Sequence, residues 1–562
     1  MLAGGGTEGD IGETGAWSFR LYGALLDDGD RDADGTIRVA VVARTAQTEF
    51  IPTYVEWIGT TRGLAVDAFN VTVGSRAAAD DPAVVGAVAT ADAVFLKGGD
   101  QGQYYDLWNE TLLETHIRAV AARGGALGGT SAGAMSLAGH CLCGGQDLIG
   151  SDVMADARSP VLDDASAPGT SGLHADFLDG VGVPGVYVET HATERGRLGR
   201  VAGVLAKATD DAGLGAGDDA ILAVSLDERT GVVVRRDTAT VVGEGAVEFL
   251  RASPATVRVR DAGRPLVYTS LHLDRLTDGW RYVLSARAPV TDAPPPGVEP
   301  VPPLPTGVPN AGALTIFGGL PSNEQKFGWI AAYDPAPYSL TPTTLSTFVR
   351  DAVGFANVDR NDDRRGDRVE TLFRALYERP DLSGFLLYGA YAAGGTTGGQ
   401  VVRTAEAPDV LSFAGDMAGI VVDARPATHR GLAPTVSAYG VPATALVGAR
   451  VHVLAESALR GIAYDSRLHA LTGSAVGAED GPAAPRGTVR LAPNPAASRA
   501  EVIVDGPGVV SVEVVDALGR RVLRAGGVGR VALDTSRLPA GVYAVRVATG
   551  AGEVVQRLVV AR

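Results

Sequence analysis

The stretch Gly128-Gly129-Thr130-Ser131-Ala132-Gly133-Ala134 indicates the fold of the first half of the chain. It follows a short apolar stretch at residues 125–127 and precedes a helix-compatible run at 132–138. A G-x-S-x-G pattern between a strand and a helix predicts a tight turn that exposes the serine hydroxyl. Small neighbours suit this turn because it brings backbone segments close together. We therefore predict a nucleophilic Ser131, with a plain glycine-rich turn as the alternative.

The sequence around this turn alternates between strand-like and helix-like segments. Residues 36–44 and 91–97 are apolar runs typical of buried strands, and residues 111–123 have a helical pattern. Further strands are predicted at 186–189 and 220–226. This alternation predicts an α/β fold built on a parallel sheet.

A second glycine pair, Gly98-Gly99-Asp100-Gln101, follows the predicted strand at 91–97. In an open α/β sheet, ligands bind beyond the carboxyl ends of the strands. The backbone N–H groups near Gly99 and Ala132 are therefore predicted to form an oxyanion hole. The Gln101 side chain can hydrogen-bond a substrate carboxylate or amide. The motif by itself is a weak signal.

A third motif supplies a base and a row of cations. His191 lies at the end of a predicted strand, and Arg195, Arg197 and Arg200 follow it. A serine nucleophile needs a base, and histidine is the usual one near neutral pH. The three arginines are predicted to line one wall beside His191. A structural histidine and a solvated helix face are the alternatives.

Taken together, the three motifs GGDQ, GTSAGA and H-x-x-x-R-G-R-x-G-R resemble those of the cyanophycinases. That family is grouped with dipeptidase E among the serine peptidases built on the class I glutamine amidotransferase-like fold, a parallel-sheet sandwich. The resemblance covers roughly residues 1–285. It implies that Ser131 is the nucleophile and His191 the base. It also implies that Gln101 and the arginine cluster bind substrate, the arginines receiving the aspartate-backbone carboxylates of cyanophycin.

The resemblance also implies an acidic third member of the triad. In the family this residue lies in a G-I-G-I-D-E-x-T-A-like segment, which we assign to residues 213–220. Asp218 is then the expected acid, and Asp219 is a substitute. The sequence departs from the family pattern at Glu189, where aspartate is usual, and at Ala192, where phenylalanine is common. These departures bear on the substrate more than on the chemistry.

Composition limits the classes of function. The chain has 562 residues, of which 46% are hydrophobic and 20% charged, as expected for several globular domains. Its net charge of −16 argues against nonspecific nucleic-acid binding. No apolar run is long enough for a membrane span. We predict no metal and no organic cofactor, and an acidic loop at residues 28–35 is expected to be solvated, with a bound Ca²⁺ as the alternative.

Cysteine usage is minimal. The chain contains two cysteines, Cys141 and Cys143, which cannot build a disulfide framework. A C-x-C pair could oxidise only with strain, because disulfides need a specific geometry. We expect both to be buried small apolar residues.

The chain divides into four segments by composition. Residues 1–288 form the peptidase-like domain, and 289–307 form a proline-rich linker. Residues 308–473 are expected to form an α/β middle domain, and 487–562 a small β-sandwich.

The middle segment contains three weak resemblances to the first domain. Phe317-Gly318-Gly319 resembles the first glycine pair, and Val451-His452-Val453 resembles Leu271-His272-Leu273. Residues 387–394 resemble the serine turn, with Tyr391 at the position of the nucleophile. We predict a decayed copy of the first domain, with an unrelated accessory domain as the alternative.

The last segment resembles the C-terminal sorting domain of type IX secretion. Its three recurring motifs are matched by residues 491–495, 516–520 and 538–543. The resemblance implies export by the type IX machinery to the cell surface or the medium. Since the first residues carry no signal peptide, we expect that Met1 is internal or that the sequence is trimmed.

The sequence therefore predicts a secreted serine peptidase that cleaves aspartate-rich or β-aspartyl-linked peptides such as cyanophycin. The alternatives are a dipeptidase E-like exopeptidase and an inactive cell-surface binding module. The sequence leaves a homodimer open.

Overall fold

The computed structural model describes residues in every segment of the chain. These residues are 1–27, 29–30, 34–46, 49–143, 148–163, 172–178, 181–301, 315–318, 352–356, 366–388, 400–403, 410–414, 417–436, 442–455, 462–466, 468–472, 489–492, 496–504, 509–515, 521–528, 530–549 and 552–560.

The helices lie mainly in the first half of the described chain. They are α1 (Trp17–Tyr22), α2 (Phe50–Thr61), α3 (Arg76–Ala79), α4 (Pro82–Val85), α5 (Gln101–Trp108), α6 (Leu112–Ala122), α7 (Ala132–Ser136), α8 (Gly150–Ala155), α9 (Pro160–Asp163), α10 (Leu198–Asp211) and α11 (Gly366–Glu378).

Strands occur throughout the described ranges. Those of the first half are β1 (Leu2–Ala3), β2 (Ile37–Ala43), β3 (Val66–Thr72), β4 (Ala93–Leu96), β5 (Ala126–Thr130), β6 (Ala138–Leu142), β7 (Leu173–His174), β8 (Val183–Glu189), β9 (Leu222–Leu226), β10 (Thr230–Arg235), β11 (Thr238–Gly243), β12 (Val247–Arg251), β13 (Val257–Val259), β14 (Val267–Leu276), β15 (Arg281–Val283) and β16 (Ala288–Pro289). One strand, β17 (Val298–Pro300), lies in the linker. Those of the middle segment are β18 (Thr315–Gly318), β19 (Ala352–Ala356), β20 (Ser383–Leu387), β21 (Gln400–Arg403), β22 (Val410–Ala414), β23 (Gly419–Asp423), β24 (His429–Val436), β25 (Pro442–Leu454), β26 (Ala463–Asp465) and β27 (Ala470–Thr472). Those of the tail are β28 (Val489–Ala492), β29 (Arg499–Val504), β30 (Val509–Val515), β31 (Arg521–Val528), β32 (Arg530–Asp534), β33 (Gly541–Thr549) and β34 (Gly552–Val560).

The first sheet contains the strand that leads into Ser131. Its order is β16-β15-β11-β10-β1-β5-β4-β2-β3. The strands from β1 to β3 in this order pair in parallel, whereas β10, β11, β15 and β16 pair antiparallel. The α/β fold with a parallel sheet, predicted from the alternation of strands and helices, is confirmed.

Local sequence explains the elements that frame this sheet. β2 is an almost continuous apolar run with six of its seven residues buried, as expected for a parallel strand covered on both faces. α6 buries Leu113, Ile117 and Val120, which lie three and four residues apart and so share one helix face.

The second sheet continues from the first half into the middle segment. Its order is β18-β19-β20-β23-β25-β14-β12-β9-β8-β6-β7, and β13, β17 and β24 pair with its members. β14 of the first half pairs antiparallel with β25 of the middle segment. The described part of the middle segment therefore extends the sheet of the first half.

The hydrophobic core follows this arrangement. One cluster contains side chains from both sheets, for example Val42 and Leu96 from the first and Val188 and Val224 from the second. Another joins the helices of the two halves, with Val201 of α10 and Phe373 of α11 in the same cluster. Burial of this kind is the dominant favourable term in folding, and it makes the joined halves one packed body.

The tail contributes two antiparallel sheets, ordered β28-β29-β32 and β31-β30-β33-β34. Val502 and Leu533 of one sheet share a hydrophobic cluster with Val514 and Val545 of the other. Residues 493–495 and 516–520 of the first two sorting motifs lie outside the described residues. No helix within the described ranges is long and apolar enough to cross a membrane.

The cysteine pair corrects the expectation from sequence. Cys141 and Cys143 are buried, as expected, but the structure joins them in a disulfide. Their Cα atoms are 5.2 Å apart, within the range that a disulfide spans. The two residues are separated by Leu142, whose carbonyl oxygen accepts a hydrogen bond from Gln101 Nε2 over 3.0 Å.

The acidic loop is described in part. Asp30 Oδ2 accepts a hydrogen bond from the Gly35 N–H, and Asp34 Oδ1 accepts one from the Thr36 N–H. Asp28 and residues 31–33 lie outside the described residues.

Candidate active site

Ser131 lies in the turn between β5 and α7. Its φ is 51° and its ψ is −121°, a backbone conformation that non-glycine residues rarely adopt. The flanking glycines are needed for close packing, since a Cβ on Gly129 would lie 2.4 Å from the carbonyl carbon of Gly133. Strained backbone of this kind clusters at functional sites, where the surrounding structure fixes it.

His191 contacts Ser131 from the loop after β8. Ser131 Oγ lies 2.8 Å from His191 Nε2, so the contact expected from sequence is present. The backbone N–H of His191 donates a hydrogen bond to the carbonyl oxygen of Gly4 over 3.1 Å. Gly5 packs against the ring at φ +96°, and a Cβ there would lie 2.4 Å from His191 Cε1. The loop after β1 therefore fixes the imidazole and requires glycine to do so.

Glu228 occupies the other side of the imidazole. Its Oε1 lies 2.8 Å from His191 Nδ1. An ionised carboxylate can only accept hydrogen bonds, so Nδ1 carries the proton. His191 Nε2 is then free to accept the hydroxyl proton of Ser131. The Glu228 N–H donates to Oε2 of the buried Glu194 over 3.0 Å, which holds the loop after β9 in place.

This geometry corrects the expected acid. Asp218 Oδ1 accepts a hydrogen bond from the Ala220 N–H, and Asp219 lies 3.6 Å from Arg251. Neither is the carboxylate at the imidazole. The acidic motif was expected at residues 213–220, in the loop before β9, whereas Glu228 lies in the loop after β9. Residues 227–230, Asp-Glu-Arg-Thr directly after β9, contain the D-E-x-T part of that motif and were the available signal.

The surroundings of His191 favour its neutral form. Burial lowers the pKa of the imidazole below its ordinary value. The hydrogen bond with Glu228 acts in the opposite direction, and the charges of Arg195 and Arg197 lower the pKa further. A neutral imidazole at neutral pH is the state in which histidine can accept a proton.

Two of the three arginines lie away from any exposed wall. Arg197 Nη1 lies 2.9 Å from Glu189 Oε1, and Arg200 Nε lies 2.6 Å from Glu189 Oε2. The exposed fractions of these side chains are 7% for Arg197, 4% for Arg200 and 0% for Glu189. The Tyr187 hydroxyl and the Leu148 carbonyl oxygen also take part in the cluster.

The electrostatics of this cluster explain its burial. Burial alone would raise the pKa of Glu189, but Arg200 and Arg197 lower it to about 2. Burial lowers the pKa of Arg197 to about 10. A buried carboxylate needs such partners, because an unpaired buried charge is very costly. The expectation that Arg197 and Arg200 line a substrate wall is therefore wrong, because Glu189 holds both of them inside the protein.

Arg195 differs from its two neighbours. It is half-buried, and its charge acts on the His191 imidazole. The half-buried Gln101 begins α5, where Asp100 accepts hydrogen bonds from the N–H groups of Gly102 and Gln103. Of the polar side chains predicted from sequence to bind substrate, Arg195 and Gln101 are the two that could contact it.

The end of β4 approaches the nucleophile. A Cβ on Gly98 would lie 3.3 Å from Ser131 Cβ, and one on Gly99 would lie 2.7 Å from the Tyr104 hydroxyl oxygen. The Tyr104 hydroxyl in turn donates to the carbonyl oxygens of Lys97 and Gly98. Ala132, buried at the start of α7, follows the nucleophile directly. Among the described residues, no group of three or more His, Cys, Asp or Glu side chains could hold a metal ion.

Comparison with family models finds two matches. The model of peptidase family S51 matches residues 43–147, which include Gly98, Gln101 and Ser131. The model of the secretion system C-terminal sorting domain matches residues 490–561. The first half of the chain is thus similar to cyanophycinase-like peptidases, and the tail match indicates secretion to the cell surface or beyond it.

Curated relatives agree with these matches. The chain is 30% identical over 214 residues to a cyanophycinase of Synechococcus elongatus, covering 38% of this chain and 59% of the relative. It is 29% identical over 192 residues to a cyanophycinase of Geminocystis herdmanii, covering 34% and 61%. The chain thus spans about three fifths of the length of these relatives.

A solved structure of a peptidase from an acI-B1 Actinobacterium is also similar. It is 21% identical, and the match covers 50% of this chain and 95% of that one, with a TM-score of 0.33.

Proposed function

We propose that the chain is a secreted serine peptidase in which Ser131, His191 and Glu228 form the catalytic triad, built on the class I glutamine amidotransferase-like fold. The observation that carries this proposal is the continuous hydrogen-bonded chain from Ser131 Oγ through the imidazole to Glu228 Oε1, with 2.8 Å at each step. A hydroxyl, a neutral imidazole and a half-buried carboxylate in this order are the components of nucleophilic acyl transfer.

The acylation step follows from this order. Ser131 Oγ attacks the peptide carbonyl carbon, a C–O bond forms, and the hydroxyl proton moves to His191 Nε2. The carbonyl oxygen becomes an oxyanion, which the N–H groups of Gly99 and Ala132 would stabilise. The C–N bond then breaks as His191 gives its proton to the leaving amine.

Deacylation repeats the cycle with water. His191 removes a proton from the water, the oxygen attacks the acyl carbon, and the bond to Ser131 Oγ breaks as the serine regains its proton. Glu228 stabilises the imidazolium that forms in each half of the cycle.

The proposed substrates are aspartate-rich or β-aspartyl-linked peptides such as cyanophycin. Arg195 is the cation that would receive a substrate carboxylate, and Gln101 would bind a carboxylate or amide beside it. The similarity to cyanophycinases supports this class.

A second candidate is a dipeptidase E-like exopeptidase on short Asp-containing peptides. The observation that favours it is the pairing of Arg197 and Arg200 with Glu189, which removes two of the three cations expected along a polymer groove. Arg195, the half-buried member of the three arginines, suits one carboxylate rather than a repeating series.

The experiment compares the purified chain with its Ser131→Ala variant on cyanophycin and on β-aspartyl dipeptides, following amine release. We expect release by the wild-type chain and a loss on the order of 10⁶-fold in the variant. Release from dipeptides but not from the polymer would select the exopeptidase. Release from neither would contradict the proposal.

The tail is proposed to direct export. Residues 490–561 match the sorting-domain model, and two antiparallel sheets with a shared core form this segment. We propose that it is a small β-sandwich recognised by the type IX secretion machinery.

A further inference from the structure

We infer that residues 352–472 are a second copy of residues 183–289, and that this copy serves as an internal partner subunit whose Tyr388 positions the loop carrying His191. The inference rests on the proposed function, since it assigns Tyr388 and Glu370 as positioning residues for the base.

The order of elements is the same in both copies. The first copy begins with the parallel pair β8 and β9 joined by α10, and the second with the parallel pair β19 and β20 joined by α11. Among the described residues, seven strands follow in each, β10 to β16 in the first and β21 to β27 in the second.

The strand pairings also correspond. The antiparallel pairs β9–β12, β12–β14 and β13–β14 have the counterparts β20–β23, β23–β25 and β24–β25. The pairs β10–β11, β11–β15 and β15–β16 have the counterparts β21–β22, β22–β26 and β26–β27. An unrelated accessory domain would have no reason to repeat six pairings in order.

A local two-fold axis relates the copies. His272 pairs with Arg251 in the first copy, and Arg450 pairs with the corresponding Asp423 in the second. His272 and Arg450 are thus equivalent, and they pair with each other where β14 meets β25. A residue that pairs with its own counterpart marks a two-fold axis, as in an isologous dimer interface.

The sequence of the second copy differs from that of the first at the position of the triad acid. Leu226 and Leu387 are the last residues of the equivalent strands β9 and β20. Their equivalence follows from the matching antiparallel pairings of these strands with β12 and β23. In the sequence, Tyr388 follows Leu387 as Asp227 follows Leu226, and the next residue is Gly389 where the first copy has Glu228. Residues 389–394, which include Tyr391, lie outside the described residues. The sequence of the second copy therefore has a glycine where the first copy has the triad carboxylate.

Tyr388 instead reaches into the first copy. Its side chain is buried, and its hydroxyl oxygen accepts a hydrogen bond from the Gly199 N–H over 2.8 Å. It donates to the Gly196 carbonyl oxygen over 3.4 Å. A Cβ on Gly199 would lie 2.7 Å from the tyrosine ring, so the helix start is shaped to receive this ring. The phenol thus ties the end of the His191 loop to the start of α10.

Glu370 makes a second connection from the same copy. Its Oε2 lies 2.6 Å from Nη2 of the fully buried Arg275. The same nitrogen lies 3.3 Å from Asp227 Oδ2, and Asp227 Oδ1 accepts the N–H of Thr193 over 3.1 Å. Asp227 is the residue before Glu228, and Thr193 is two residues after His191. The second copy therefore supports both loops that carry the base and its carboxylate.

The test measures the reactivity of Ser131 in the full-length chain, using a fluorophosphonate that the serine oxygen attacks with loss of fluoride. The variant is Tyr388→Phe, which removes one hydroxyl. The matched control is Tyr464→Phe, whose buried hydroxyl contacts Ser383 inside the second copy. The limiting rate of modification and the half-saturating concentration are measured separately, together with the thermal unfolding midpoint.

We expect the limiting rate to fall about three- to tenfold in Tyr388→Phe, the value of one net hydrogen bond, at an unchanged half-saturating concentration. Tyr464→Phe should react as the wild-type chain does. Glu370→Gln, which tests the second connection if Tyr388→Phe does not fold, should also react more slowly.

Equal rates in the wild-type chain, Tyr388→Phe and Glu370→Gln would overturn the inference alone. An equal loss in Tyr464→Phe would also overturn it, because the effect would then be a general one of the core. A wild-type chain that does not react at Ser131 would overturn the proposed function and the inference with it.

Discussion

Glu228 Oε1 lies 2.8 Å from His191 Nδ1, although 37 residues separate the two in sequence. The contact joins the loop after β8 to the loop after β9, neighbouring parallel strands whose carboxyl ends meet at one edge of the sheet. It gives the imidazole a fixed tautomer, and it identifies the carboxylate on which the proposed mechanism depends.

Replacing Glu228 by glutamine should therefore lower kcat strongly. An amide in this position can stabilise the wrong tautomer of the imidazole, and in Ser-His-acid triads this costs on the order of 10⁴-fold. The measurement is amine release from a β-aspartyl peptide. Asp218→Asn is the matched control and should leave kcat unchanged. A loss in the control but not in Glu228→Gln would restore the acid first expected from sequence.

The buried arginines are expected to affect stability. Arg200→Ala leaves the Glu189 carboxylate with one ionic partner fewer in a fully buried position, so unfolding should become easier by about 3–5 kcal/mol. Urea titration of the variant and the wild-type chain measures this change. If the unfolding midpoint were unchanged and substrate binding were impaired, Arg200 would instead be a substrate-binding residue, as first expected from sequence.

Arg195 should behave in the opposite way. Arg195→Ala should leave the free energy of unfolding within about 0.5 kcal/mol of the wild-type value, as is usual for residues outside a buried network. It should raise KM for an acidic peptide about tenfold to a hundredfold, since a charge-assisted hydrogen bond contributes about 1.5–3 kcal/mol. A neutral peptide is the control. Equal effects on both peptides would contradict a role in reading substrate charge.

The pH dependence of kcat/KM should reflect the buried imidazole. Activity requires neutral His191 and is lost as the pH falls through its pKa. Because burial and the nearby arginines lower that pKa, the acid limb should lie below the ordinary histidine value of about 6.5. Arg195→Gln removes one of these cations and should move the limb to higher pH. A shift to lower pH would contradict this account of the electrostatics.

The features predicted from sequence are the local ones. The strand, turn and helix around Ser131 are encoded within a dozen residues, and the small neighbours that the turn needs are visible in the sequence. His191 followed from its position at a strand end.

The features that sequence did not reveal depend on distant contacts. The burial of Arg197 and Arg200 depends on Glu189, which lies on the preceding strand and draws both guanidinium groups inward. The extension of the second sheet into the middle segment depends on the pairing of β14 with β25, about 180 residues later. No local sequence pattern predicts such a pairing.

The tail should be separable from the activity. Deleting residues 487–562 removes a segment with its own hydrophobic cluster, so hydrolysis by the remaining chain should persist. Export should be lost in a host with a type IX system, and assays of the medium and the cells measure it. Export of the truncated chain would contradict the sorting role, and loss of hydrolysis in the soluble truncated chain would show that the tail supports the fold.

The most direct test of the triad is mass spectrometry of the full-length chain after reaction with a fluorophosphonate, followed by peptide mapping. The account predicts one adduct per chain, on Ser131, in the wild type and none in Ser131→Ala. His191→Ala should react very slowly, because the serine then has no base. An unmodified wild-type chain, or an adduct on a different residue, would contradict the assignment of Ser131 as the nucleophile.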